Sequence, residues 1–210
     1  MSPWMPQALA LAHAGTLGVL AMGMMGALYQ MIPVIAGSAV PFTRLAHLVH
    51  LLMLSGLACF GWRLLGGAES LMTVAMVCFI AALLIFLIPI SWALARCATR
   101  NETVQGMRIA VFSLIPITII GLLMARGFAG DGFPVQRMLW VQIHLSVALL
   151  GWVGGLIMAV SWQVIPMFFL ASLLLTSILV RSFCFEESES LPDVFESISL
   201  SKSFFSSFGS

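Results

Sequence analysis

The stretch from Leu9 to Gly37 constrains the fold of this chain more than any other. It contains no charged residue, and His13 is its one histidine. A bilayer is crossed by about 20 predominantly apolar residues in a helix, so the stretch is long enough to span one. An ionisable side chain inside a membrane helix costs roughly 2.5–3.5 kcal/mol on insertion scales, and its usual interpretation is functional. The stretch therefore predicts a membrane helix that carries a functional histidine.

Composition extends this prediction to the rest of the chain. Only 8% of the 210 residues are charged and 61% are hydrophobic, whereas about 25% of an average soluble domain is charged. Lipid offers the backbone no hydrogen bonds, so only helices and closed barrels span it. The apolar runs are much longer than the roughly ten-residue strands of a barrel. We therefore predict an all-α, polytopic transmembrane helix bundle whose partner is the lipid bilayer. The net charge of +1 does not suggest a nucleic-acid partner.

Polar and turn-forming residues divide the chain into a transmembrane domain, 1–181, and a serine-rich acidic tail, 182–210, which is predicted to be disordered. Pro166 is predicted to end the fifth span, because proline removes a helix hydrogen bond. The apolar segment after it is either a marginal sixth span or an interfacial segment. The abrupt change after Arg181 also suggests a shifted reading frame or a truncated product. The predicted spans are about 8–36, 45–62, 71–94, 109–125 and 139–165, with the shorter sixth segment at 167–180.

The first and fifth predicted spans share a sequence frame. In each, a histidine (His13 or His144) is followed by glycines and then by an aromatic-Gln-x-Ile-Pro motif. If successive spans alternate in direction, these two spans start on the same side, so both histidines lie at similar depth. Two histidines on different helices at one depth can bind a heme iron axially. The two copies of the motif are Tyr29-Gln30-Met31-Ile32-Pro33 and Trp162-Gln163-Val164-Ile165-Pro166.

Two interpretations of His13 and His144 are equally consistent with the sequence: iron ligation, and a hydrogen bond across helices. Gly151 and Gly155, seven and eleven residues after His144, are expected on its face of an α-helix, where they would leave a strip for a flat macrocycle. A second histidine pair, His47 and His50, is three residues apart and close to a predicted span end. It is more consistent with side chains that face water or headgroups than with ligands.

A resemblance to a known family gives these residues a more specific interpretation. Ala12-His13, the methionine-rich run after it, Gly26-Ala27-Leu28-Tyr29-Gln30-Met31-Ile32-Pro33, Gly37 and Pro41-Phe42-Thr43-Arg44 together resemble the second helix of subunit I of heme-copper oxidases. The stretch from His144 to Phe168 is similar to a helix of divergent, uncharacterised relatives of that subunit. The resemblance implies that His13 ligates a low-spin heme. With the depth argument, we expect one heme b held by His13 and His144. The resemblance also implies a multi-pass protein of the cell inner membrane, with a respiratory redox partner or other membrane subunits.

The chain departs from that family at the copper site. His-Pro-Glu-Val-Tyr, His-His and His-x-His motifs do not occur in it, so we expect neither an oxygen-reducing copper site nor independent catalytic activity. The expected role is electron transfer, or heme and copper handling. Two alternatives stay open: a small transporter or channel subunit, whose helices would be broken at the internal prolines, and a truncated, non-functional fragment.

Overall fold

A computed structural model describes residues 5–98, 101–171 and 174–176. All regular secondary structure in these residues is helical, which confirms the predicted all-α bundle. Five of the helices that they form are long and apolar enough to cross a membrane. The tail at 182–210 and the hypothesis about its reading frame fall outside the described residues. Of the sixth segment, residues 167–171 and 174–176 are described, and they are helical. We number the five helices in chain order: α1 (Pro6–Ile35), α2 (Leu45–Leu64), α3 (Ser70–Arg96), α4 (Glu102–Phe128) and α5 (Arg137–Thr176).

Helix α4 begins well before the position that the sequence predicted. It starts at Glu102 rather than near Ile109, because the Asn101 side chain accepts a hydrogen bond from the backbone N–H of Val104 at 2.9 Å and caps the first turn. Arg108 consequently lies inside the helix. Its guanidinium donates to the carbonyl of Leu94, near the end of α3, at 2.7 and 3.3 Å. Residues 102–108, which the sequence places before the fourth span, thus form the first two turns of the helix.

The internal prolines do not end the helices of the described chain. Pro33, Pro89 and Pro116 lie inside α1, α3 and α4. The chain divides into two compact units, Met1–Trp162 and Gln163–Ser210. Within the second unit residues 163–171 are helical, so Pro166 lies in helical backbone rather than at the expected break. Membrane helices tolerate proline where neighbouring groups satisfy the freed carbonyl.

The core of the first unit is formed by side chains from all five helices. Phe86, on α3, is fully buried at its centre. A second, smaller cluster joins α2 to α3 around Phe60 and Met72. Many large apolar side chains on the outer faces are exposed, as expected for helices whose solvent is lipid. The largest fully buried side chains are Phe86, Leu28, Ile32, Met72, Ile90, Met107, Val104 and Val111.

Arginine side chains and small residues hold the helices of the first unit together. Arg63, at the end of α2, donates from Nε to the carbonyl of Phe128 at 3.0 Å and forms an ion pair with Glu69 at 3.8 Å. Within the bundle, glycines allow close approach, because lipid gives helix association little hydrophobic driving force. The closest such approach between α4 and α5 is at Gly106, where an added Cβ would lie 2.7 Å from the Cβ of Ala159.

Gly106→Ala is expected to destabilise the bundle by about 1–3 kcal/mol, because overpacking at this contact forces a backbone shift. The new Cβ would also lie 3.2 Å from the Ala159 Cα, a backbone atom that cannot rotate away. Gly23→Ala is the matched control, since an added Cβ there meets nothing within 4 Å. Unfolding of the purified variants in detergent, by heat or by SDS, measures the difference. Equal stability of the two variants would contradict the close α4–α5 contact.

Candidate functional site

His13 lies near the start of α1 and is held from two sides. Its Nδ1 is 2.9 Å from the carbonyl oxygen of Leu9, one turn earlier, so Nδ1–H donates and Nε2 keeps its lone pair. The imidazole also packs against the ring of Phe60 on α2, with the two centroids 4.9 Å apart and the planes tilted by 46°. The orientation and the tautomer of His13 are therefore fixed by its own helix and by the neighbouring one.

His144 lies near the start of α5 and faces α4. Gly121 makes room for the imidazole, because a Cβ at that position would lie 3.1 Å from the His144 Cε1. Its Nδ1 is buried without a hydrogen-bond partner in the described chain. His13 packs on Phe60 near the end of α2, and His144 packs on Gly121 near the end of α4, so the two histidines of the shared frame lie at the same end of the bundle.

Each of these histidines is followed by a π-helical segment of eight residues. In α1 the segment is Ala14–Ala21, directly after His13, and in α5 it is Val147–Gly154, shortly after His144. The two segments end the same number of residues before Tyr29 and Trp162, the aromatic residues of the shared frame. Turns of π-helix are rare and occur frequently at functional sites. The repeat in the sequence is therefore also a repeat in the backbone.

The glycines within the π segments contact neighbouring helices. A Cβ at Gly18 would lie 2.9 Å from Leu57 Cδ2 on α2, and one at Gly151 would lie 2.9 Å from Ser113 Cβ on α4. These two glycines occupy the same place in the shared frame. Each glycine therefore lets its helix approach a neighbouring helix, α1 toward α2 and α5 toward α4.

The expectation that Gly151 and Gly155 leave a strip free for a flat macrocycle is wrong. Gly151 packs on Ser113, and a Cβ at Gly155 would lie 3.6 Å from the Ala110 Cβ on α4. Both glycines do face the same helix as His144, whose ring lies against Gly121 of α4. Helix α4 packs against this face of α5 and fills the expected strip.

Two further buried polar atoms have no partner in the described chain: the hydroxyl of Tyr29 and the indole N–H of Trp152. Both side chains pack edge-on against Phe86, at centroid distances of 5.8 and 6.5 Å. A buried polar group left unpaired costs about 1–3 kcal/mol, so each is a place where a ligand or an ordered water would be stabilised. Sequence reasoning did not select Trp152. The sequence feature that could have selected it is its indole N–H, the one side-chain hydrogen-bond donor between residues 147 and 160.

The second histidine pair is placed differently. His47 and His50 are exposed on α2, away from the core that surrounds Phe86. His50 lines a cavity of about 90 Å³ between α1 and α2. A second cavity, of about 320 Å³, lies between α3 and α4 beside Arg108. Neither of these cavities is lined by His13 or His144.

Comparison of the chain with models of known protein families, with characterised proteins and with solved structures finds no match.

Trp152→Phe is expected to change the free energy of unfolding by less than about 1.5 kcal/mol, because it keeps most of the side-chain volume and removes an N–H that has no partner. Trp152→Ala is expected to cost about 3–5 kcal/mol through the cavity that it leaves beside Phe86. SDS unfolding in detergent measures both variants. A loss for Trp152→Phe as large as that for Trp152→Ala would mean that the indole N–H is bonded in the folded protein.

Proposed function

We propose that the chain is a membrane-embedded electron-transfer module that binds one heme b between His13 and His144. The observation that carries the proposal is the placement of these two imidazoles at one end of the bundle, on the first and last of the five helices long enough to span a membrane. The motifs of α1 that resemble subunit I of heme-copper oxidases favour the same role for His13. That resemblance does not extend to a copper site.

The donor atoms suit axial ligation of heme iron. The Leu9 carbonyl accepts from Nδ1–H of His13, which leaves Nε2 as the ligand and raises its basicity. His144 has the Ile117 carbonyl beside its ring, and a small rotation on ligation would give its buried Nδ1–H an acceptor. Such a hydrogen bond to the second nitrogen is the usual companion of a ligating histidine.

The number of protein donors also suits a heme. No group of three or more His, Cys, Asp or Glu side chains converges within the described ranges, whereas a porphyrin supplies four of the six iron ligands itself. A heme held by His13 and His144 would supply one-electron transfer. Phe60 and the apolar faces of the helices would exclude water from it, which would tune its reduction potential.

The remaining parts of the proposal concern the cellular setting. Five helices long and apolar enough to span a bilayer support a multi-pass membrane protein. We assign it to the cell inner membrane, with a respiratory redox partner or other membrane subunits, by the resemblance of α1 to an oxidase helix. Heme or copper handling for a respiratory enzyme is the variant of this role that needs no redox partner.

A transporter or channel subunit is the second candidate. The repeat of π segments in α1 and α5 favours it, because transporters are often built from internal repeats with irregular helices near the substrate site. The unpaired polar atoms of Tyr29 and Trp152 would then face the transported molecule. Such a protein would be colourless, which separates it from the heme proposal.

The heme proposal is tested by a reduced-minus-oxidised visible spectrum of the protein purified in detergent after expression with added heme. We expect a Soret band and a sharp α-band. His13→Ala and His144→Ala should each abolish the α-band, because two axial imidazoles are needed for the low-spin state. His47→Ala is the control and should keep the full spectrum, since that side chain is exposed on α2. Folded, monodisperse protein without a heme absorbance would overturn the proposal. A spectrum that is unchanged in both His13→Ala and His144→Ala would overturn it as well.

A further inference from the structure

We propose that the chain has a second, separate site that binds one Cu(I) ion in the cavity between α1 and α2, here called the methionine cavity. Its volume is about 90 Å³, and five of the side chains that line it carry a sulfur, nitrogen or oxygen donor. No residue of this set belongs to the pair His13 and His144. The donor side chains are Met22, Met25, Tyr29, His50 and Met53.

The donors come in two pairs from facing helices. Met22 and Met25 are three residues apart on α1, and His50 and Met53 are three residues apart on α2. Residues at this spacing share one face of a helix. The cavity therefore has two thioethers on one wall, and a thioether and an imidazole on the other. Three sulfurs and one nitrogen make a four-donor set.

The chemistry of this set selects a soft monovalent ion. Thioether ligands favour Cu(I), whereas Ca²⁺ and Mg²⁺ require oxygen ligands. Zn²⁺ is usually bound by thiolate, imidazole or carboxylate, and neither a cysteine nor an acidic residue lines this cavity. All the donors are neutral, so a monovalent ion adds a single charge to a site between membrane helices. That is the smallest charge that a metal ion can bring to a medium in which charges are costly.

Methionine commonly fills gaps in cores, and that is the ordinary explanation for three of them in one place. Here the three do not close the gap. Met25 and Met53 are 4% and 2% exposed, and yet the space that they border is larger than the roughly 30 Å³ that a water molecule occupies in the liquid. The space beside the two buried thioethers leaves room for an ion, whereas methionines that only fill a gap leave none.

The polar groups at the cavity define a route for the ion. His50 is exposed, so an ion arriving at the protein surface meets the imidazole first. Met25 and Met53 are buried and would take the ion deeper between the helices. Gly26 lines the same wall and is exposed, and a Cβ there would meet nothing within 4 Å, so the cavity is open to the outside of the bundle at this point. The Tyr29 hydroxyl lacks a partner in the described chain, and it can solvate a bound ion or a water beside it.

The test is a competition titration of the full-length protein, purified in detergent under anaerobic, reducing conditions, with Cu(I) held by a chromophoric chelator. We expect one equivalent bound by the parent protein. Met25→Leu and Met53→Leu should each weaken binding by at least about tenfold, a loss that even changes outside the ligand shell can cause. Leucine conserves the volume of methionine, so both variants should fold. X-ray absorption of the copper-loaded parent should show a coordination shell dominated by sulfur.

Met72→Leu is the matched control. Met72 is fully buried on α3 in the smaller core cluster and does not line the cavity, so its replacement should leave Cu(I) affinity unchanged. Parent protein that binds no Cu(I), or a Met25→Leu/Met53→Leu double variant with parental affinity, would overturn the proposal. If Cu(I) affinity were lost in His13→Ala but kept in the methionine variants, the copper would bind at the histidine pair instead. That result would also overturn the proposal. The heme spectrum of the methionine variants should stay intact, which keeps the two proposals separable.

Discussion

The bilayer interior provides no water to accept or donate hydrogen bonds, and each polar group on a spanning helix must find its partner within the protein. Several hydroxyls of the described helices do so locally. Thr16, Ser113 and Thr118 donate to carbonyls three or four residues earlier in their own helices, at 2.6–2.9 Å. Against that background the polar atoms left over are informative. The unpaired atoms of Tyr29, His144 and Trp152 mark the interior positions at which the described bundle is not self-sufficient.

The same solvent also decides how the helices are held together. Exchanging lipid for another helix gains little hydrophobic free energy, so close van der Waals contact and a few strong hydrogen bonds must supply the specificity. Glycine supplies the contact at Gly18, Gly106 and Gly151. Arginine supplies the bonds at opposite ends of the bundle: Arg63 binds a carbonyl at the end of α4, and Arg108 binds one near the end of α3. Both arginines neutralise carbonyls that the last turn of a helix leaves unpaired.

The sequence predicts the architecture well because the length and apolarity of a segment are sufficient to define a membrane span. The described residues form five helices long and apolar enough to cross a membrane, one at each predicted span. The start of α4 could not be placed, because the cap at Asn101 and the carbonyl bonds of Arg108 allow a helix to include residues that look like a loop. The glycines of α5 lie on the face that the sequence predicted, but the sequence could not show that α4 packs against them and fills the strip. His13 and His144 lie at the same end of the bundle, in agreement with the depth argument made from their shared frame.

The π segment of α1 has a mechanical consequence. It lies between His13 on one side and Met22 and Met25 on the other, so one helix carries groups of both proposed sites with a wide turn between them. A π turn differs from an α turn by one residue in its hydrogen-bond spacing, and one residue of helix corresponds to about 100° of rotation. A shift of that spacing toward the α pattern would turn the methionines about the helix axis relative to the histidine. Such a change within helix α1 would therefore rotate the donors of one proposed site relative to those of the other.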